Sequence, residues 1–122
     1  MDRKQFKEYD LIASGKILHV DFGEFTQTIE VGINTIFKGK VRRMTIVLSS
    51  SGQSGMCGIF PKEGEKWLIY AHGKGMEFST NLCTRTQNMS RANNREKEMI
   101  ERDLSYLRKN STRKKAYRER WL

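Results

Sequence analysis

Between residues 26 and 37 apolar and polar positions alternate with a period of two. Ile29, Val31, Ile33 and Phe37 fall on one side and Thr28, Glu30, Gly32 and Asn34 on the other. The alternation predicts a strand with one buried face and one wet face. Four further segments read as strands. Leu11 to Phe22 is rich in β-formers and carries Gly15 inside it, where a glycine marks a bulge or tight bend. Val41 to Leu48 follows the turn signal Lys38-Gly39-Lys40. It sets Met44, Ile46 and Leu48 on one face and Thr45 and Val47 on the other. Lys66 to His72 contains the unbroken run Trp67-Leu68-Ile69-Tyr70, which predicts burial on both faces. Met76 to Leu82 is a short strand after the turn Gly73-Lys74-Gly75.

The period changes between Ser90 and Lys109. Met99, Ile100, Leu104 and Leu107 recur at helical spacing, and Glu96, Lys97, Glu101 and Arg102 face away. This predicts a helix packed on the strands, with Ser90 or Asn94 as its cap. Ser49 to Gly55 reads as a flexible loop, and residues 110–122 as a helix extension or a disordered basic tail. Regular strand spacing without a βαβ pattern predicts a mainly β fold. The expected architecture is a five-stranded OB-type Greek-key barrel with a C-terminal α-helix, one domain over residues 1–109.

The 122-residue chain carries a net charge of +9. Residues 108–122 hold seven basic side chains against one acid, so +6 of that charge sits in the tail. Binding to nucleic acid or to an anionic membrane or cell-wall surface therefore points first to Arg113, Lys114, Lys115, Arg118 and Arg120. No run approaches the roughly 20 apolar residues that span a bilayer. Residues 1–10 lack the apolar stretch of a signal peptide. Two expectations follow: a cytoplasmic chain starting at Met1, or an exported one whose signal lay upstream.

Little in the sequence suggests catalysis. There is no HExxH, no glycine-rich phosphate loop and no Ser-His-Asp spacing. The two cysteines have 25 residues between them, outside metal-site spacing, and His19 and His72 read as exposed or hydrogen-bonded strand residues. Glu63 and Glu65 flank Gly64 in what reads as a solvated turn, and Asp21 and Glu24 sit in a tight loop. No catalytic residue, metal or cofactor is expected. On the OB face that binds single strands, the outward residues Thr28, Glu30, Gly32 and Asn34 offer no ring for stacking. Trp67, Tyr70 and Phe37 read as core. Lys38, Lys40, Arg42, Arg43 and the tail remain as an alternative nucleic-acid contact.

Several short motifs, in order along residues 9–107, resemble the TIMP-like, netrin-type OB barrel, most closely its bacterial members. They are Tyr9-Asp10-Leu11-Ile12 with Ser14-Gly15-Lys16-Ile17, then Phe37-Lys38-Gly39, and Cys57-Gly58-Ile59-Phe60 with Gly64. Trp67-Leu68-Ile69-Tyr70-Ala71, Ser79-Thr80-Asn81-Leu82-Cys83 with Arg85-Thr86, and Asp103-Leu104-Ser105-Tyr106-Leu107 complete the set. In the animal inhibitors of that family an N-terminal Cys-X-Cys segment chelates the protease zinc, and cysteines resembling Cys57 and Cys83 clamp it. This sequence contains no Cys-X-Cys pair. Cys57 and Cys83 are then bonded to each other, partners of an upstream segment, or plain buried thiols. A mutual disulfide closing the intervening loop stabilises by roughly 3 kcal/mol.

The resemblance implies a noncatalytic protein-binding domain, exported or surface-associated, with an unidentified protein partner. Its contacts are expected at the barrel edge, on Met56, Cys57, Gly58, Cys83, Thr84 and Lys74. The 49–56 loop and the Gly73–Gly75 turn adjoin that edge.

Overall fold

A computed structural model describes residues 3–24, 26–41, 44–51, 59, 61–74, 77–80 and 86–110. The chain opens with a short helix, α1 (Arg3–Glu8). The strands follow as β1 (Leu11–Phe22), β2 (Thr26–Lys38), β3 (Thr45–Ser51), β4 (Lys66–Lys74), β5 (Glu77–Ser79) and β6 (Gln87–Asn88). A long helix, α2 (Asn94–Asn110), ends the described chain. β1 to β5 close a barrel in the order β1-β2-β3-β5-β4-β1, and β6 pairs with β4 outside that ring. Among the described strands only the β3–β5 pairing is parallel. This is the five-stranded OB-type barrel with a C-terminal helix that the periodicity predicts.

Closure depends on β1, which pairs with β2 over most of its length and with β4 from Leu11 to Lys16. A strand shared by two halves of a barrel has to bend, and β1 does so through register shifts at Ile12/Ala13, Ser14/Gly15 and Ile17/His19. Gly15 makes the second shift possible. A Cβ there would lie 2.6 Å from Val31 Cγ1 and 2.7 Å from the Gly32 carbonyl oxygen. The bend expected from this glycine is present, and close backbone crossing is its cause.

Two apolar cores share β4. Trp67, Ile69 and Ala71 point into the barrel with Ile29, Val31, Ile46 and Leu48. Leu68 and Tyr70 point outward and lie in a second cluster with Ile100, Leu104 and Leu107 of α2. The apolar run of β4 is thus buried on both faces, as its sequence predicts. Each of the three α2 side chains stabilises the docked helix by about 1.5–3 kcal/mol relative to exposure.

Several expectations need correction. β3 begins at Thr45 rather than Val41, although Val41 is buried. Ser49 to Ser51, expected in a loop, belong to β3 and pair with Thr26 to Thr28; residues 52–55 of that loop lie outside the described residues. Of the predicted Met76 to Leu82, β5 covers Glu77–Ser79 and Thr80 lies outside the strand; Met76, Asn81 and Leu82 lie outside the described residues. Phe37 does not share a face with Ile33. The β1–β2 register shift puts Ile36 into the barrel and turns Phe37 toward α2. The α2 cap is Asn93 in a reciprocal box with Glu96, not Ser90 or Asn94. Asn93 Oδ1 accepts from the Glu96 amide at 2.8 Å and Glu96 Oε1 from the Asn93 amide at 3.3 Å. Ser90 instead accepts a hydrogen bond from the Lys66 amide.

Candidate binding surfaces

Met56, Cys57, Gly58, Cys83 and Thr84 lie outside the described residues, as do Arg42, Arg43 and the tail basic groups Arg113, Lys114, Lys115, Arg118 and Arg120. Lys74 is the last residue of β4, paired with Glu77 of β5. The described residues do show where the two cysteine-bearing segments are rooted. Residues 52–58 leave from the end of β3, and the chain is described again at Ile59, whose amide donates to Ser50 Oγ at 3.3 Å. Gln27 Nε2 donates to the Ile59 carbonyl. Residues 81–85 leave from Thr80, whose amide donates to the Ser49 carbonyl at 3.1 Å. Consecutive serines of one strand therefore hold one root each.

The second segment is also closed at its base. Thr80 and Thr86 bracket it, are both buried, and hold their hydroxyl oxygens 2.7 Å apart. β4 pairs with β6 at Trp67 and Leu68 and with β5 from His72, so Tyr70 falls in the gap along that edge. The two threonines fill it. The Tyr70 amide donates to Thr86 Oγ1 at 2.9 Å, and Thr80 Oγ1 donates to the Tyr70 carbonyl at 2.8 Å. Side-chain hydroxyls thus replace a missing ladder, and the buried backbone groups stay satisfied.

A groove of about 500 Å³ crosses β1, β2 and the start of β4 at the other end of that strand. Leu18, Ile33 and Met89 give it an apolar floor, and Lys16, Lys66, Asn34 and Ser14 line it as well. Gly15 and Gly32 also line it, and a Cβ at Gly32 would press on Leu18 at 3.3 Å. Sequence reasoning missed this site because Lys16 and Lys66 meet only through the β1–β4 register.

His19 lies near the far end of β1. Asp21 Oδ1 stands 3.0 Å from Nε2, and Glu63 Oε1 stands 3.2 Å from Nδ1. Hydrogen bonds to Asp21 and then Glu63 favour the imidazolium and raise its pKa above the usual 6.5. The two carboxylates face opposite ring nitrogens, so the three groups do not converge on one point as metal ligands do.

Glu65 is not the solvated turn residue expected from its neighbours. It is only 7% exposed. Burial pushes its carboxyl pKa upward. The Lys62 amide, Asn88 Nδ2, Trp67 Nε1 and the Arg91 guanidinium outweigh that and hold it below the usual range. Glu65 so ties the turn before β4 to β6 and the approach to α2.

On the β2 face, Thr28, Glu30 and Asn34 are exposed, as predicted, and Lys40 is exposed at the rim. Lys38 is committed to structure: its ammonium donates to the Phe6 carbonyl at 2.8 Å and lies 5.3 Å from the Phe6 ring centre. Trp67, Tyr70 and Phe37 are buried. Neither described helix is long and apolar enough to cross a membrane.

Compared with models of known protein families the sequence matches none, and comparison with curated proteins gives no match either.

Proposed function

We propose that this chain is a noncatalytic protein-binding domain of an exported or surface-associated protein, built on a TIMP-like OB barrel. Its binding edge is formed by the segments that carry Cys57 and Cys83, with the end of β4 beside them. One observation carries the reading: both segments are rooted on Ser49 and Ser50, side by side at one end of a closed barrel. Loops held at their bases by a rigid scaffold are where binding residues concentrate. The sequence contains no Cys-X-Cys pair, so zinc chelation is not part of the proposal.

The nucleic-acid alternative draws less support. Among the described residues the outward side of β2 shows no aromatic ring, and it carries the acid Glu30. The test is capture by the tagged full chain from extracts of its own host without reductant, followed by affinity measurement with each purified partner. A folded protein bound with similar affinity at low and high salt supports the proposal. Recovery of RNA or DNA alone, with steep salt dependence, overturns it.

A further inference from the structure

We infer that the groove across β1, β2 and β4 is a second binding site, and that it takes an acidic, apolar peptide segment from another protein. The site is separate from the proposed edge, since Lys66 opens β4 whereas the edge adjoins its far end.

Lys16 and Lys66 are direct partners in the antiparallel β1–β4 register, so their side chains leave the sheet on the same face, with Cβ atoms about 4.5–5.5 Å apart. Like charges in that position destabilise a sheet. Both residues are exposed, and among the described residues neither ammonium has an ion-pair partner and no acid lines the groove. An unneutralised pair of cations at the mouth of a groove is a site for a carboxylate.

The rest of the lining says what accompanies that carboxylate. Leu18 is 45% exposed, a large apolar side chain left to solvent beside the half-buried Met89. Together they receive an apolar side chain. Among the described residues the Asn34 amide and Ser14 hydroxyl make no side-chain hydrogen bond, which leaves donors and acceptors for a peptide backbone. The volume of about 500 Å³ suits a few residues, and the groove is open along one side rather than enclosed. That shape fits a passing chain better than a small molecule, which is usually engulfed. Within residues 1–122 the undescribed segments offer little that would fill it. The only acids among its undescribed residues are Asp2 and Glu119, the latter set in the basic tail.

The probe is the peptide acetyl-Asp-Leu-Glu-Leu-Asp-amide, titrated into the isotope-labelled full chain while amide resonances are followed. Its Asn/Gln counterpart, with no charge, is the comparison. Expected are saturable shifts at Gly15, Lys16, Gly32 and Asn34, and binding of the acidic peptide about tenfold or more tighter than the neutral one. Lys16→Gln combined with Lys66→Gln should weaken binding about tenfold. It should also raise the melting temperature slightly, by relieving the like-charge pair; that rise confirms that the variant folds. The inference is overturned if shifts concentrate in residues 109–122, if the lysine variant binds as well as the parent, or if both peptides bind alike. Octanoate binding as tightly at the same residues would also overturn it, since the site would then serve small carboxylates.

Discussion

The Tyr70 hydroxyl of β4 donates a 2.8 Å hydrogen bond to Asp103 Oδ2 of α2, and both residues are buried. The bond joins the barrel to the helix that covers it. Tyr70 is also the residue whose backbone is held by Thr80 and Thr86. One side chain thereby links the second core to the root of the 81–85 segment.

Tyr70→Phe keeps the ring and removes the donor from a buried carboxylate. It should cost about 1–3 kcal/mol. Chemical denaturation of the full chain measures this. Loss of less than a few tenths would show that the bond is not needed to dock α2.

Thr86→Val keeps the shape and removes the acceptor for the Tyr70 amide. The buried N–H then loses this acceptor, at about 1–3 kcal/mol. Amide exchange at Tyr70 should accelerate more than at Ile29 or Ile46 in the barrel interior. Uniform acceleration would mean general destabilisation instead.

Gly15→Ala places a methyl group against Val31 and the Gly32 carbonyl. Overpacking of this kind costs about 1–3 kcal/mol. The melting temperature should fall, and Val31→Ala in the same chain should recover part of the loss, because it removes one of the two contacts.

Glu65 has a depressed carboxyl pKa, so its contribution to stability is present above the unfolded carboxylate range. It is lost as pH falls through the lower folded value. Glu65→Gln should flatten the fall in melting temperature between about pH 5 and pH 3, near and below the unfolded carboxylate value. At pH 7 Glu65→Ala should destabilise by about 3 kcal/mol, because Trp67 Nε1, the Lys62 amide and Asn88 lose their acceptor.

His19 shows the opposite sign. Its raised pKa means that its contribution is complete below about pH 6.5 and fades as pH rises through the folded value. Proton resonances of the ring should titrate above the ordinary midpoint, and Asp21→Asn should lower that midpoint more than Glu63→Gln. Equal midpoints in all three proteins would show that the carboxylates do not hold the ring in solution.

The long periodic elements could be read from the sequence because each residue there reports its own face. β1 matches its predicted span, β2 matches to within a residue, and β4 differs at its end. α1 and β6 have six and two residues and are too short to show a period. The adjacent apolar pair Ile36-Phe37 was a usable sign that the alternation of β2 breaks, since neighbours on a strand cannot share one core. Glu65 gave no such sign. Asn88 and Arg91, which help to keep it buried and ionised, are more than 20 residues away. The Lys16–Lys66 pair likewise exists only once the barrel closes.

The most direct test of the proposed binding edge is hydrogen–deuterium exchange on the full chain, alone and bound to the protein it captures. Protection should concentrate in residues 49–59 and 79–86, on and between the roots at Ser49, Ser50, Thr80 and Thr86. Protection confined to the outward β2 face around Thr28, Glu30 and Asn34, with residues 49–59 and 79–86 unchanged, would contradict it.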